Sequence, residues 1–426
     1  MSLLKDLRYG ARKLVHNPGF SAVSVVTLAL GIGLTTTMFS IVYGALMRGL
    51  PFEHPERIVS VRRANPVRGF EEMSVTPHDF ADYRAQARSF ESLAAFSNGT
   101  VNVSGSEKPE RFDGAYMTAN AFDVLRARPL LGRTIRPGED AVGAPAVVVL
   151  GYDLWQSRFR GDRGVIGRVI RVNAEQAEVV GVMPQGFKFP ASEALWVPLR
   201  RPLEAKRGEG SDVFVFGRLK PGVTTDRATT EMATIAKRLA AAYPESNKDI
   251  TAYVEPYTKS FIGKEPTQLL MTMLFAVFLV LLIACANVAN LLLSQAAMRS
   301  KEVGIRTAMG ASRGRIILQF LTEPLALAGV GAVLGVGLAA VGVRLFNASI
   351  AGTDPPFWID IKIDGPILLF VLAVTLFATF VSGVLPAIRA SGANVNEVLK
   401  DESRGSSSFR GGRLSQIGRA SCRERV

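Results

Sequence analysis

Four apolar runs constrain this chain more than any other feature: residues 19–47, 267–298, 316–346 and 366–388. At about 1.5 Å of rise per helical residue, each can cross a hydrocarbon layer about 30 Å thick. The first run is too long for the core of a signal peptide, and no small-residue cleavage pattern follows it, so it is expected to remain as a first membrane helix. Between the first two runs lie residues 48–266, polar and alternating, with frequent proline and glycine, and long enough to bury a core of their own. The expected fold class is an α-helical membrane protein with four transmembrane helices and a large α+β extracytoplasmic domain.

Charge sets the orientation. Residues 1–18 place Leu4, Leu7, Ala11 and Leu14 at three- and four-residue steps, with Lys5, Arg8, Arg12 and Lys13 on other faces. That is the pattern of an interfacial amphipathic helix, ended by the turn His16-Asn17-Pro18-Gly19. The connector 299–315 carries Arg299, Lys301, Arg306, Arg313 and Arg315 against the single acid Glu302, whereas the loop 347–365 carries Asp354, Asp360 and Asp364 against Lys362. The positive-inside bias puts the N-terminus, the connector and the tail 389–426 in the cytoplasm, and residues 48–266 and 347–365 outside. A formal charge of +13 fits anionic membrane lipids as partners, since no basic stripe interleaved with aromatics points to nucleic acid. Cys285 lies in an apolar run and Cys422 near the end, so the polar domain has no cysteine for a disulfide.

Within the connector, Val303, Ile305 and Met309 alternate with charged positions at helical spacing, and Gly310 follows as a stop, which predicts a short amphipathic helix. By composition alone it is a positive-inside loop without a partner. In the third run Gly331 and Gly335 have the small-xxx-small spacing that lets helices approach closely, and the expected contact is between two such units, either a homodimer or this chain with a second permease half. Glu323 lies about two turns inside the cytoplasmic end, where a carboxylate needs a partner or water. Pairing towards Arg315 and a role in coupling both fit it, and Pro324 beside it favours a kink.

The polar domain alternates strand-like runs, RIVSVRRA, AVVVL, RVIRV, AEVVGVM, DVFVFGRL and DITAYVEP, with helical stretches at PHDFADYRAQ, YDLWQSRF and TTDRATTEMATIAKRLAAAY. Thr224 or Thr225 with Asp226 starts the last helix. His16, His54 and His78 are scattered without metal-ligand spacing. No phosphate-binding GxxxxGK[ST] motif occurs, and His78 with Asp79 and Asp82 is better read as a capped amphipathic helix than as a hydrolase site. No catalytic residue, metal or cofactor is expected.

KEVGIRTAMGASRGRI followed by FLTEPLALAGVGAVLG resembles the signature of the FtsX/MacB-type permeases of ABC transporters. VVVLGYDLWQSRFRGDRGVIGRVIRVNAEQAEVVGVMPQGFKFP with ALWVPL resembles the MacB periplasmic core domain, carried by the Gly181-Val182-Met183-Pro184 turn and the strand pair before it. The resemblance implies a membrane-proximal α/β lobe built from both ends of the domain and an inserted lobe over about 120–200. It also implies that the connector meets a separate cytosolic ABC ATPase subunit, with Glu302, Val303, Gly304, Arg306, Met309, Gly310 and Ala311 as contact residues, and that a periplasmic adaptor is a further candidate partner. The location it implies is the bacterial inner membrane. The tail departs from the family pattern, since the proline often found after the basic residue of LPAIRASG is absent. The four-run layout resembles the first half of the acidobacterial duplicated orphan permeases. Residues after Glu402 read as linker, and IGRASCRERV reads as vector-derived, so the natural chain is expected to diverge from about Leu414.

Two functions from different classes follow from this resemblance. One is a transporter permease that turns ATPase motion into movement of its outer domain, for efflux or extraction of a substrate the sequence does not name. The alternative is an FtsX-like transmembrane signalling protein that regulates an external partner and moves no substrate.

Overall fold

The computed structural model describes residues 17–104, 109–200, 206–208, 211–298 and 313–391. It divides into two compact units. One contains residues 1–41, 271–346 and 362–426, and the other residues 42–270 and 347–361.

The first unit is helical. Helix α1 (Pro18–Val42) continues through a π-helical turn to Met47. Among the described residues, four helices are long and apolar enough to cross a membrane, and α1 is the first of them. Its partners follow α2 (Pro77–Gln86), α3 (Tyr152–Phe159), α4 (Thr225–Ala242) and α5 (Tyr257–Ile262) of the globular unit. They are α6 (Lys264–Met298), α7 (Arg313–Ile350) and α8 (Gly365–Ser391). Leu28, Ile32, Leu281, Cys285, Val288, Leu327 and Val374 meet in one buried cluster.

Contacts along α1 give the helix directions. Thr35 Oγ1 lies 3.4 Å from the Val277 carbonyl, and Gly31 faces Leu281 and Ala284, so α1 and α6 are antiparallel. Gly331 faces Leu28, Gly335 faces Gly33 and Gly342 faces Thr37, so α1 and α7 run the same way. Gly383 of α8 meets Leu321 and Pro324 near the start of α7, which makes those two antiparallel. Several hydroxyls buried in this unit donate back to their own helices, as Thr35 does to the Gly31 carbonyl and Ser382 to the Ala378 carbonyl, a partner that needs no water.

The second unit is α+β around an eleven-stranded sheet. Its strands are β1 (Ile58–Asn65), β2 (Phe70–Met73), β3 (Phe90–Ser104), β4 (Glu110–Met117), β5 (Leu131–Gly132) and β6 (Val147–Leu150). They continue with β7 (Val169–Val172), β8 (Glu175–Val182), β9 (Leu195–Pro198), β10 (Phe214–Leu219) and β11 (Thr251–Pro256). The order is β11-β1-β10-β3-β4-β9-β6-β8-β5, with β2 on β1 and β7 on β3 and β8. The β4–β9 and β6–β8 pairs are parallel and the other ladders antiparallel.

Each strand-like run named from the sequence is a strand, and each helical stretch a helix. The Thr224 hydroxyl accepts the Arg227 N–H at 3.3 Å and so caps α4. Two details differ from the sequence reading. Gly181 and Val182 end strand β8 rather than form a turn, because both are buried between β5 and β6. Strand β3 was not anticipated; its fifteen residues pair with β10 at one end and with β4 and β7 at the other, so residues 120–200 extend the same sheet.

Alternation along β1 sorts its two faces. Val59 and Val61 pack with Val215, Val254, Met232 and Ile235 beneath α4. The opposite face carries Ser60 and Arg62. On PHDFADYR, Asp79 is fully buried, with Arg63 Nη1 at 2.8 Å, Arg207 Nη1 at 2.7 Å and the Asn247 amide at 2.9 Å. Its acid is therefore consumed by a charge-paired network that ties α2 to β1 and to residues 207 and 247, as a buried carboxylate requires.

Candidate functional site

The connector residues Glu302, Val303, Gly304, Arg306, Met309, Gly310 and Ala311 lie outside the described residues, between the end of α6 and the start of α7. The Arg315 side chain lies outside them too. Glu323 sits on α7 beside Pro324, the proline that packs against Gly383 of α8.

Gly331 and Gly335 are placed against α1 of the same chain rather than on a free face. A Cβ on Gly335 would lie 3.2 Å from the Ala29 carbonyl oxygen and 3.2 Å from the Gly33 nitrogen. A Cβ on Gly33 would in turn lie 3.0 Å from the Gly335 oxygen. Two backbones meet where neither has a side chain, which is the use that membrane helices make of glycine. The sequence spacing signalled close approach but carried no information on which helix approaches.

The globular unit gathers several segments that adjoin the candidate spans. Arg48, just after the first, pairs with Asp360 at 2.9 Å. Arg218 on β10 is almost wholly buried and donates from Nε to the Val124 carbonyl at 2.7 Å and from Nη1 to the Glu53 carbonyl at 2.7 Å. That holds the segment leading to β1 against the sheet. Gly263 joins α5 to α6 with φ +84° and ψ 171°, a conformation open to glycine and strained for other residues.

Of the loop expected over 347–365, residues 347–361 join the globular unit, and Trp358 lies in its core. Trp358 is 2 % exposed and stands edge-on to Tyr257 and Phe261, with ring centres 5.7 and 5.0 Å away. Phe357 lies 5.9 Å from Phe52, and its N–H donates to the Ala191 carbonyl at 2.8 Å. The clue in the sequence was Phe357-Trp358-Ile359, an apolar triplet inside a loop otherwise rich in aspartate and proline.

Glu193 is a buried titratable group of this unit. Glu193 accepts from Asn98 Nδ2 at 2.7 Å and from the Ala191 and Ser192 N–H groups at 2.6 and 3.0 Å. Burial nevertheless pushes its carboxyl above the usual range, the N–H bonds pulling the other way. Among the described residues no three His, Cys, Asp or Glu side chains cluster as a metal site.

This architecture defines a multi-pass membrane protein with one α+β unit set between its first two spans. The family model described as "MacB-like periplasmic core domain" matches residues 21–235, about half of the chain, and that described as "FtsX-like permease C-terminal" matches residues 274–395. The chain belongs to the FtsX/MacB-type ABC transporter permease family. It is 23 % identical over 419 residues to the macrolide export ATP-binding/permease protein MacB of Campylobacter jejuni, covering 94 % of this chain and 63 % of that one. To the protein of that name from Rhodospirillum rubrum it is 26 % identical, covering 90 % of this chain and 58 % of the relative. The chain thus spans about three fifths of the length of these curated relatives. Among solved structures, the periplasmic region of MacB from Actinobacillus actinomycetemcomitans matches with TM-score 0.36 and 15 % identity, over 47 % of this chain and 89 % of that one.

Proposed function

We propose that this chain is the permease subunit of an ABC transporter of the MacB/FtsX type, coupling ATP hydrolysis by a separate cytosolic ATPase to movement of its α+β unit. The observation that carries this reading is the chain path. Residues 42–270, between the first and second spans, and residues 347–361, between the third and fourth, belong to one compact unit built on one sheet. A change in the spacing of the spans is therefore delivered to a single body. In this reading the α+β unit lies outside an inner membrane, the connector faces the cytosol, and two permease units act together, with a periplasmic adaptor as a further partner.

Orientation is tested by single cysteines at Ser106 and Ser300, after Cys285 and Cys422 are replaced. An impermeant thiol reagent added outside intact cells is expected to label position 106 and spare position 300. Equal labelling of both rejects the arrangement.

Coupling is tested at the connector. Met309 supplies an apolar anchor in the proposed ATPase contact, while Glu302 and Arg306 set its register, because buried apolar groups dominate affinity and charges orientation. Met309→Asp puts an unpaired charge where the partner would bury it. The expected result is loss of ATPase stimulation by about tenfold, for a penalty of about 1.4 kcal/mol or more. Full stimulation by this variant removes the connector from the mechanism. Coupled hydrolysis with an external partner and no compound moved assigns the chain to signalling instead.

A further inference from the structure

We propose that the α+β unit binds an anionic amphiphile in a pocket between Arg62 and an aromatic wall formed by Phe96, Phe214, Tyr257 and Phe261. This goes beyond the coupling reading and does not depend on an ATPase. The cavity measures about 350 Å³ and lies on the face of β1, β10 and β3 opposite the one covered by α4. That volume is within the range of small-molecule sites, about 300–1,000 Å³.

Its two kinds of surface are built by different means. Phe96 and Phe214 are register partners on β3 and β10, stacked at 5.3 Å between ring centres. Phe214 is 39 % exposed and Phe261 38 %, although Tyr257 at the start of α5 is buried. Two half-open rings flanking a concave space leave apolar surface that a ligand can cover.

Arg62 is held in place from one side only. Its Nε donates to Ser260 Oγ at 2.9 Å and its Nη2 to the Ser260 carbonyl at 3.0 Å, and the guanidinium lies 5.5 Å from the Phe214 ring centre. Among the described residues no carboxylate stands within ion-pair distance of it. Burial and then the neighbouring Glu72 push up the carboxyl of Glu255, which lies opposite Ser60 on β11, while Lys259, Ser260 and Arg62 pull the other way. A guanidinium oriented by its own chain and lacking an anion selects a carboxylate or phosphate oxygen. The rings beside it select an acyl chain or an aryl body. A neutral apolar molecule would leave Arg62 without a partner, and a polar anion would leave the rings uncovered.

The pocket also has a mechanical address. Tyr257, Ser260 and Phe261 are on α5, and Gly263 joins α5 to α6. A seated ligand therefore touches the helix that leads into the second span.

The test uses the whole chain in lipid nanodiscs, with no ATPase, and a dodecanoate probe bearing a diazirine. Photolysed cross-links are located by mass spectrometry. Label is expected around Phe214 and on residues 257–262, in addition to the label any acyl probe leaves on the spans. Unlabelled dodecanoate is expected to compete at least about tenfold better than dodecanol, the factor a charge-assisted hydrogen bond supplies. Arg62→Gln keeps hydrogen bonding to Ser260 and removes the charge, and is expected to weaken pocket labelling about tenfold. Phe214→Ala, at a half-exposed ring, is expected to weaken it as well. Competition by 1-naphthoate distinguishes the sources: stronger competition than dodecanoate points to an aryl anion, weaker to an acyl one, and either supports the pocket. Absence of label above the background on the spans overturns the proposal, as does label that dodecanol competes equally and Arg62→Gln leaves unchanged.

Discussion

Gly335→Leu is expected to prevent α1 and α7 from packing, so that the chain is recovered from membranes as aggregate rather than as a monodisperse species. The site offers no room: the first added carbon would lie 3.2 Å from the backbone of α1 at both Ala29 and Gly33, and also 3.2 Å from Ile32 Cγ2. Two further shells of leucine carbons would have to displace the helix itself. Overpacking of a close-packed interior costs about 1–3 kcal/mol where side chains can move, and a backbone-to-backbone contact lies at or above the upper end. Gly337→Leu is the control, because a Cβ at Gly337 meets nothing within 4 Å. Size-exclusion profiles and thermal unfolding in detergent are expected to separate the two variants clearly. If both behave alike, the α1–α7 contact is not what holds these glycines. If Gly335→Leu leaves a well-folded single chain and abolishes only self-association, the glycines serve a contact between copies.

The second large effect is expected at Trp358. Trp358→Ala removes a ring that is 2 % exposed and touches Tyr257, Phe261 and Phe357, and such truncations cost about 3–5 kcal/mol. Residues 347–361 should then come away from the globular unit, which hydrogen exchange would register as faster exchange across that segment. Trp358→Phe is expected to do much less damage. It keeps an aromatic ring against Tyr257 and Phe261 and removes an indole N–H that is buried without an acceptor among the described residues, a state costing about 1–3 kcal/mol. Equal destabilisation by alanine and phenylalanine would mean that the indole, rather than ring packing, holds the loop. In the coupling mechanism proposed above, the alanine variant cuts one of the paths by which the spans reach the sheet, so it should lower coupled activity more than ATPase binding.

The strands and helices legible in advance were those whose pattern is complete within a few residues. DVFVFGRL and DITAYVEP are short, apolar and bounded by turn residues, and both are strands. Strand β3 escaped because FESLAAFSNGTVNVS has no clean alternation and places Asn98 and Gly99 at its centre. Its extended form is supported by three partner strands, one of which, β10, follows it by more than a hundred residues. The helix at PHDFADYR was legible from its pattern, but the sequence could not show Arg63 and Arg207 closing on Asp79.

Hydropathy is a property of each residue and its near neighbours, so the sequence by itself determined that this chain has four spans, a large α+β unit between the first two, and the motifs that carry the family. Choice of partner is a property of the closed structure, where every buried surface must find a complementary one. Only the tertiary structure decided that Gly335 faces Gly33 instead of a free surface, and that the Trp358 loop lies in a core rather than in solvent. It also decided that Arg62 and Ser260, 198 residues apart, shape one pocket. Contacts over such separations follow from close packing of the whole molecule, which no local period encodes.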